Sequence, residues 1–88
     1  MNLKVKNKIE KKVENRIKET MSSVFTTPVN EIGLDASFNN INNWDSLKHM
    51  SLIIALEDEF EIKFNDDEVV DMVDFKIIMN SILSKITI

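Results

Sequence analysis

Residues 45–60 read DSLKHMSLIIALEDEF, and this stretch sets the class of the fold. Asp45 or Ser46 is suited to open a helix, because a short oxygen-bearing side chain accepts a hydrogen bond from a free first-turn amide. Leu47, Met50, Ile53, Ile54, Leu56 and Phe60 follow and make a broad apolar helix face. Glu57, Asp58, Glu59 and Glu61 crowd the far end. Negative charge at a helix C-terminus is unfavourable by about 0.3–1 kcal/mol per exposed charge. A sequence that accepts this cost is expected to use the acids for something else.

Upstream, Val5, Ile9, Val13, Ile17, Met21 and Val24 mark one face of a long first helix that ends near Phe25. Thr26, Thr27 and Pro28 stop it, since proline cannot continue the hydrogen-bond ladder. The connection to Trp44 shows no period and exceeds the ~12–15 residues usual for compact domains. Val29, Ile32, Leu34, Phe38 and Ile41 are expected to pin it to the core, with a short helical turn around 29–32. Downstream, Ile62 and Phe64 return the chain to the core. Asn65 and Glu68 form a capping box for a short helix carrying Val69, Val70 and Met72. Asp74 caps a last helix marked by Phe75, Ile78, Met79, Ile82, Leu83 and Ile86. Gly33 and Pro28 are the sole glycine and proline, which favours helices over hairpins. The expected fold is all-α: a four-helix bundle with a long first loop and a short third helix.

Composition removes several function classes. The 88 residues make one small domain and contain no cysteine, so disulfides, thiolate metal sites and a cysteine nucleophile are absent. The single histidine, His49, cannot build a nitrogen-ligand zinc site. The acidic run 57–74 has no glycine and lacks the pattern of a calcium loop. No metal site and no catalytic residue are therefore expected. No apolar run approaches the ~20 residues of a membrane span, and no signal peptide is evident. A cytoplasmic monomer with no nucleic-acid partner is the expected reading.

Charge is unevenly placed. Lys4, Lys6, Lys8, Lys11, Lys12, Arg16 and Lys18 face only Glu10 and Glu14 in residues 1–18. Residues 45–74 hold ten acids against Lys48 and Lys63. The two ends should attract different surfaces. Residues 1–8 are expected to be a basic, frayed extension of the first helix, and residues 9–88 the domain proper.

Ser46 sits where chemistry is favoured. Free amides and the positive end of the helix dipole stabilise an anion there. A phosphodiester on Ser46 would lie at that end, and Asp45 is suited to hold magnesium during phosphoryl transfer. The plain alternative is that Asp45 and Ser46 only cap the helix. Trp44 reads as a packing residue, and His49 as a solvated residue on the second helix.

The runs Leu34-Asp35-Ala36-Ser37-Phe38, Asp45-Ser46-Leu47 and Ala55-Leu56-Glu57-Asp58-Glu59-Phe60, followed by Ile62 and Phe64, resemble acyl carrier proteins over roughly residues 10–86. That resemblance implies a free-standing carrier with the four-helix fold of the acyl carrier type. It implies that a phosphopantetheinyl transferase attaches a 4′-phosphopantetheine arm from coenzyme A to Ser46, and that Asp45 helps place the magnesium ion. The thiol of the arm would carry acyl or aminoacyl groups as thioesters, and the carrier itself would catalyse nothing. Leu47 and Met50 would touch partner enzymes. Acidic Glu57, Asp58 and Glu61 would meet basic patches on enzymes that load or transfer the acyl group. The interhelical core is expected to open and shelter an apolar acyl chain.

This sequence departs from the usual pattern at Trp44, where a small residue is common, and at Lys48 and Ser51, where acids are common. A tryptophan there is familiar in carriers outside primary fatty-acid synthesis, including those of polyketide and peptide assembly lines. The rival reading is a non-carrier helical adaptor that binds a partner helix or a membrane surface through its amphipathic faces; such an adaptor has no need of Ser46.

Overall fold

Helices α1 (Leu3–Phe25), α2 (Ser46–Phe60), α3 (Asp66–Asp71) and α4 (Phe75–Ile86) follow one another, with a 3-10 turn at Val29–Glu31 in the first connection. These elements come from a computed structural model that describes the backbone of residues 3–86 and the side chains of residues 8–86. The expected all-α bundle is the one observed. Among the described residues, the single β-type pairing is an isolated bridge between Ser37 and Asp74.

The stripe of α1 is Val13, Ile17, Met21 and Phe25, all buried and one helical turn apart. It lies mainly on α2 and also on α4. Of the expected stripe, Ile9 is 42% exposed, and Val5 lies outside the residues whose side chains are described. Fraying of residues 1–8 concerns side chains that fall largely outside the described ones. Arg16 ties α1 to the end of α2. Its guanidinium donates to the Glu59 carboxylate at 2.8 Å and to the Glu59 carbonyl, and it lies 4.3 Å from the Phe60 ring centroid.

Two of the helices end in a left-handed residue that is not glycine. Thr26 (φ 53°) closes α1 and Glu61 (φ 54°) closes α2. In each case the next amide reaches five residues back, Thr27 to the Ser22 carbonyl at 3.2 Å and Ile62 to the Glu57 carbonyl at 3.1 Å. These bonds tighten the helix ends; the Glu57 carbonyl accepts the Glu61 amide as well.

The long connection is held differently from the expectation. Ile32 is buried and Ile41 packs on the core, but Val29, Leu34 and Phe38 are exposed. The anchors are Ala36 and Trp44, together with backbone bonds. Phe38 donates to the Val73 carbonyl and Phe75 to the Ala36 carbonyl, each at 2.9 Å. Asn43 donates to the Phe25 carbonyl at 2.8 Å and so fastens the loop to the end of α1. Backbone pairing carries no apolar period, which is why the apolar pattern found Ile32 and Ile41 but also pointed to the exposed Val29, Leu34 and Phe38.

In α2 the buried face is Leu52, Ile53, Leu56 and Phe60. Leu52 was missed, and Leu47, Met50 and Ile54 point outward. The capping box of α3 is present in both directions, 2.9 Å each, and Asp74 caps α4 through the Ile77 amide at 2.8 Å. Met72 is fully buried and Val69 partly so, whereas Val70 is exposed. Phe75, Ile78 and Ile82 fill the core from α4, with Met79, Leu83 and Ile86 packed against it. Among the described residues no helix is long and apolar enough to cross a membrane.

Candidate functional site

The start of α2 is the site. Asp45 is its N-cap, with extended backbone, and its Oδ1 accepts the Lys48 amide at 2.8 Å. Ser46 is therefore the first helical residue rather than the cap. Its side chain is exposed, and among the described residues nothing hydrogen-bonds to its hydroxyl. The amides of Ser46 and Leu47 precede any helical acceptor. A free hydroxyl, two unpaired amides and the positive end of a 15-residue helix are an arrangement that suits a phosphodiester. Asp45 is exposed beside it, with its second carboxylate oxygen unused by the described residues, in keeping with a ligand for a transient divalent cation.

The base of the site is packed and hydrogen-bonded. Trp44 is 3% exposed and touches Phe25, Phe38 and His49, at ring-centroid distances of 5.1, 6.3 and 6.1 Å. Its Nε1 donates to His49 Nδ1 at 3.0 Å, and His49 Nε2 lies 2.8 Å from the Val69 carbonyl. An indole N–H can only donate and a carbonyl can only accept, so these bonds select the imidazole tautomer with its proton on Nε2. His49 is therefore not a solvated residue, as the sequence suggested. It joins the loop, α2 and α3. The contact with Val69 spans twenty residues, and no sequence spacing announces it.

The acids at the end of α2 divide into two groups. Glu57 accepts the Phe64 amide at 3.0 Å, and Glu59 holds Arg16. Asp58 and Glu61 are exposed, as are Leu47, at 82%, and Met50 on the same helix. On α3, Glu68 accepts the Asn65 amide and meets Lys85 at 2.9 Å and Ser81 at 3.2 Å. The capping bond, helped by Lys85 and Ser81, holds its carboxyl below the usual carboxylate range. Among the described residues no group of acids and histidine could hold a metal ion.

Comparison with known proteins agrees with this geometry. The family described as the phosphopantetheine attachment site matches residues 15–74. The acyl carrier protein of Buchnera aphidicola subsp. Schizaphis graminum (strain Sg) is 38% identical over 56 residues, which is 64% of this chain and 71% of that protein. The acyl carrier protein of Buchnera aphidicola subsp. Acyrthosiphon pisum (strain Tuc7) is 40% identical over 58 residues, 66% of this chain and 72% of that protein. The prosthetic group that such a domain bears is 4′-phosphopantetheine, and its role is that of an acyl carrier served by partner enzymes and a phosphopantetheinyl transferase. With the matched segment running from the middle of α1 through the loop that leads to Ser46 to the end of α3, the chain belongs to the acyl carrier protein family.

Proposed function

We propose that Ser46 takes the 4′-phosphopantetheine arm as a phosphodiester on its hydroxyl, and that Asp45 places the magnesium ion while the arm is attached. The observation that carries this reading is the exposed, unbonded Ser46 hydroxyl in the first turn of α2, next to a capping carboxylate with an oxygen to spare. When bound, the arm supplies a thiol that holds an acyl or aminoacyl group as a thioester. The chain's own residues then present that group to enzymes of fatty-acid, polyketide or related biosynthesis. Leu47 and Met50 offer apolar contact beside Ser46. Asp58 and Glu61 offer charge to basic patches on partners, and such charge speeds encounter more than it tightens the complex.

The test is attachment itself. Incubation with coenzyme A, magnesium and a broad-range phosphopantetheinyl transferase should add one arm by intact mass, and Ser46→Ala should block it with helicity unchanged by circular dichroism. An arm on the alanine variant, or none on the parent with several transferases, would remove the reading. Asp45→Ala should slow attachment and raise the magnesium concentration it needs.

A further inference from the structure

The seam between α2 and α3 next to Ser46 is bridged by the His49 side chain, with Trp44 packed behind it. Trp44 lies two residues before Ser46, and His49 one helical turn after it. The indole fills the space against Phe25 and Phe38, and the imidazole carries the link across to the Val69 carbonyl of α3. None of the surface grooves lined by Arg16, by Ile54 or by Met72 involves Trp44, His49 or Val69. A chain entering this seam from Ser46 would have to break both hydrogen bonds, leave the buried indole N–H without a partner and the Val69 carbonyl with only the Met72 amide at 3.4 Å, and displace a packed ring.

We propose that Trp44 and His49 lock α3 onto the start of α2, so that an acyl group carried from Ser46 stays outside the helical core. This deepens the Ser46 reading and rests on it. The cargo class it favours is one that does not need shelter: short or polar acyl and aminoacyl groups, for which burial yields little apolar gain. This proposal runs against the expectation that the core opens for an apolar chain. Trp44 and His49 are the residues that exclude it, through the bridged seam and not through contact with the reacting thioester.

Acetyl and octanoyl arms are loaded onto the parent, His49→Ala and Trp44→Ala from the corresponding coenzyme A thioesters, with one arm per chain verified by mass. Two quantities are read: the rate of thioester cleavage by hydroxylamine, and the emission of Trp44, the sole tryptophan in the chain. In the parent, both arms should be cleaved at the same rate, with emission independent of chain length. In the variants, octanoyl cleavage should slow by about tenfold relative to acetyl, as for a chain that spends nine-tenths of its time inside. An octanoyl arm already protected in the parent, or one that shifts Trp44 emission there, overturns the proposal. So does equal cleavage of the two arms in folded variants. If Trp44→Ala does not fold, His49→Ala decides alone. Failure to load the parent would strike the Ser46 reading instead. The seam is then tested on Ser46→Cys, alkylated at its one cysteine with N-methyl or N-octyl maleimide: emission unchanged by chain length supports the lock, and a shift with the octyl chain overturns it.

Discussion

At the scale of single residues, Thr26 shows a conflict between sequence and backbone. It is β-branched, yet it holds the left-handed conformation that ends α1. That conformation costs an L-residue roughly 1–2 kcal/mol. Glycine removes the strain but loses about 0.5–1 kcal/mol of chain entropy on folding. Thr26→Gly should therefore stabilise the domain by about 0.5–1 kcal/mol, which for a domain of this size raises Tm by about 4–8 °C per kcal/mol. Calorimetry checks this, and a fall in Tm would show that the threonine side chain has a compensating contact. Ser46 was legible as a candidate because capping chemistry is local. His49 was not, because its significance depends on Trp44 being folded beneath it and on Val69 arriving from another helix.

At the scale of elements, α3 is too short to be stable alone, since helix nucleation is costly and six residues recover little of it. It is held by its capping box, by Glu68 with Lys85 and Ser81 of α4, and by His49. Glu68 has a folded-state pKa below its ordinary range, held there by the Asn65 amide with help from Lys85 and Ser81. Its contribution is present above the usual carboxylate range and is lost as pH falls through that range and then through the depressed folded value. Glu68→Gln can still accept the Asn65 amide but loses the ion pair with Lys85. It should destabilise the protein near neutrality and flatten the acid limb of the stability–pH curve, read by urea melts at a series of pH values. An unchanged acid limb would mean that other carboxylates govern it. The first helix offers the opposite case. Among the described residues its buried face begins at Val13, and we expect residues 1–7 to contribute little, because ordering them costs about 1–2 kcal/mol each. Removing them should leave loading of Ser46 unchanged and lower Tm only slightly. Unfolding on removal would show that this end is an integral part of the bundle.

At the scale of the whole molecule, charge separates into a basic end and an acidic one. The acids are not all bonded alike: Glu57 and Glu59 are bonded within the fold, while Asp58 and Glu61 are exposed, and these two are the ones we propose to meet partners. The double variant Asp58→Lys with Glu61→Lys should slow transfer between the loaded carrier and partner enzymes. Added salt should have the same effect on the parent, because exposed charges are screened beyond about 10 Å at 0.1 M. Stability should hold or rise, since positive charge suits a helix C-terminus by about 0.3–1 kcal/mol per site. Transfer that is indifferent to both changes at low salt would move the docking surface elsewhere. Reversing Glu57 as well would confuse the result, because Phe64 would lose its acceptor.

The sequence by itself determined what local rules control: four helices, the stop at Pro28, the capping box at Asn65 and Glu68, the cap at Asp74 and the position of Ser46 in a first helical turn. Each depends on residues within a few positions of one another, where spacing and capping chemistry act directly. Only the tertiary structure decided which apolar residues are core. Leu47, Met50 and Ile54 share α2 with Leu52 and Leu56, and hydropathy does not distinguish a face that meets α1 from one that meets solvent or a partner. It also decided that Glu57 and Glu59 are bonded within the fold while Asp58 is not, and that Trp44, His49 and Val69 form one link. Those outcomes depend on groups brought together across 7, 43 and 20 residues of chain, and the packing of the helices sets such distances.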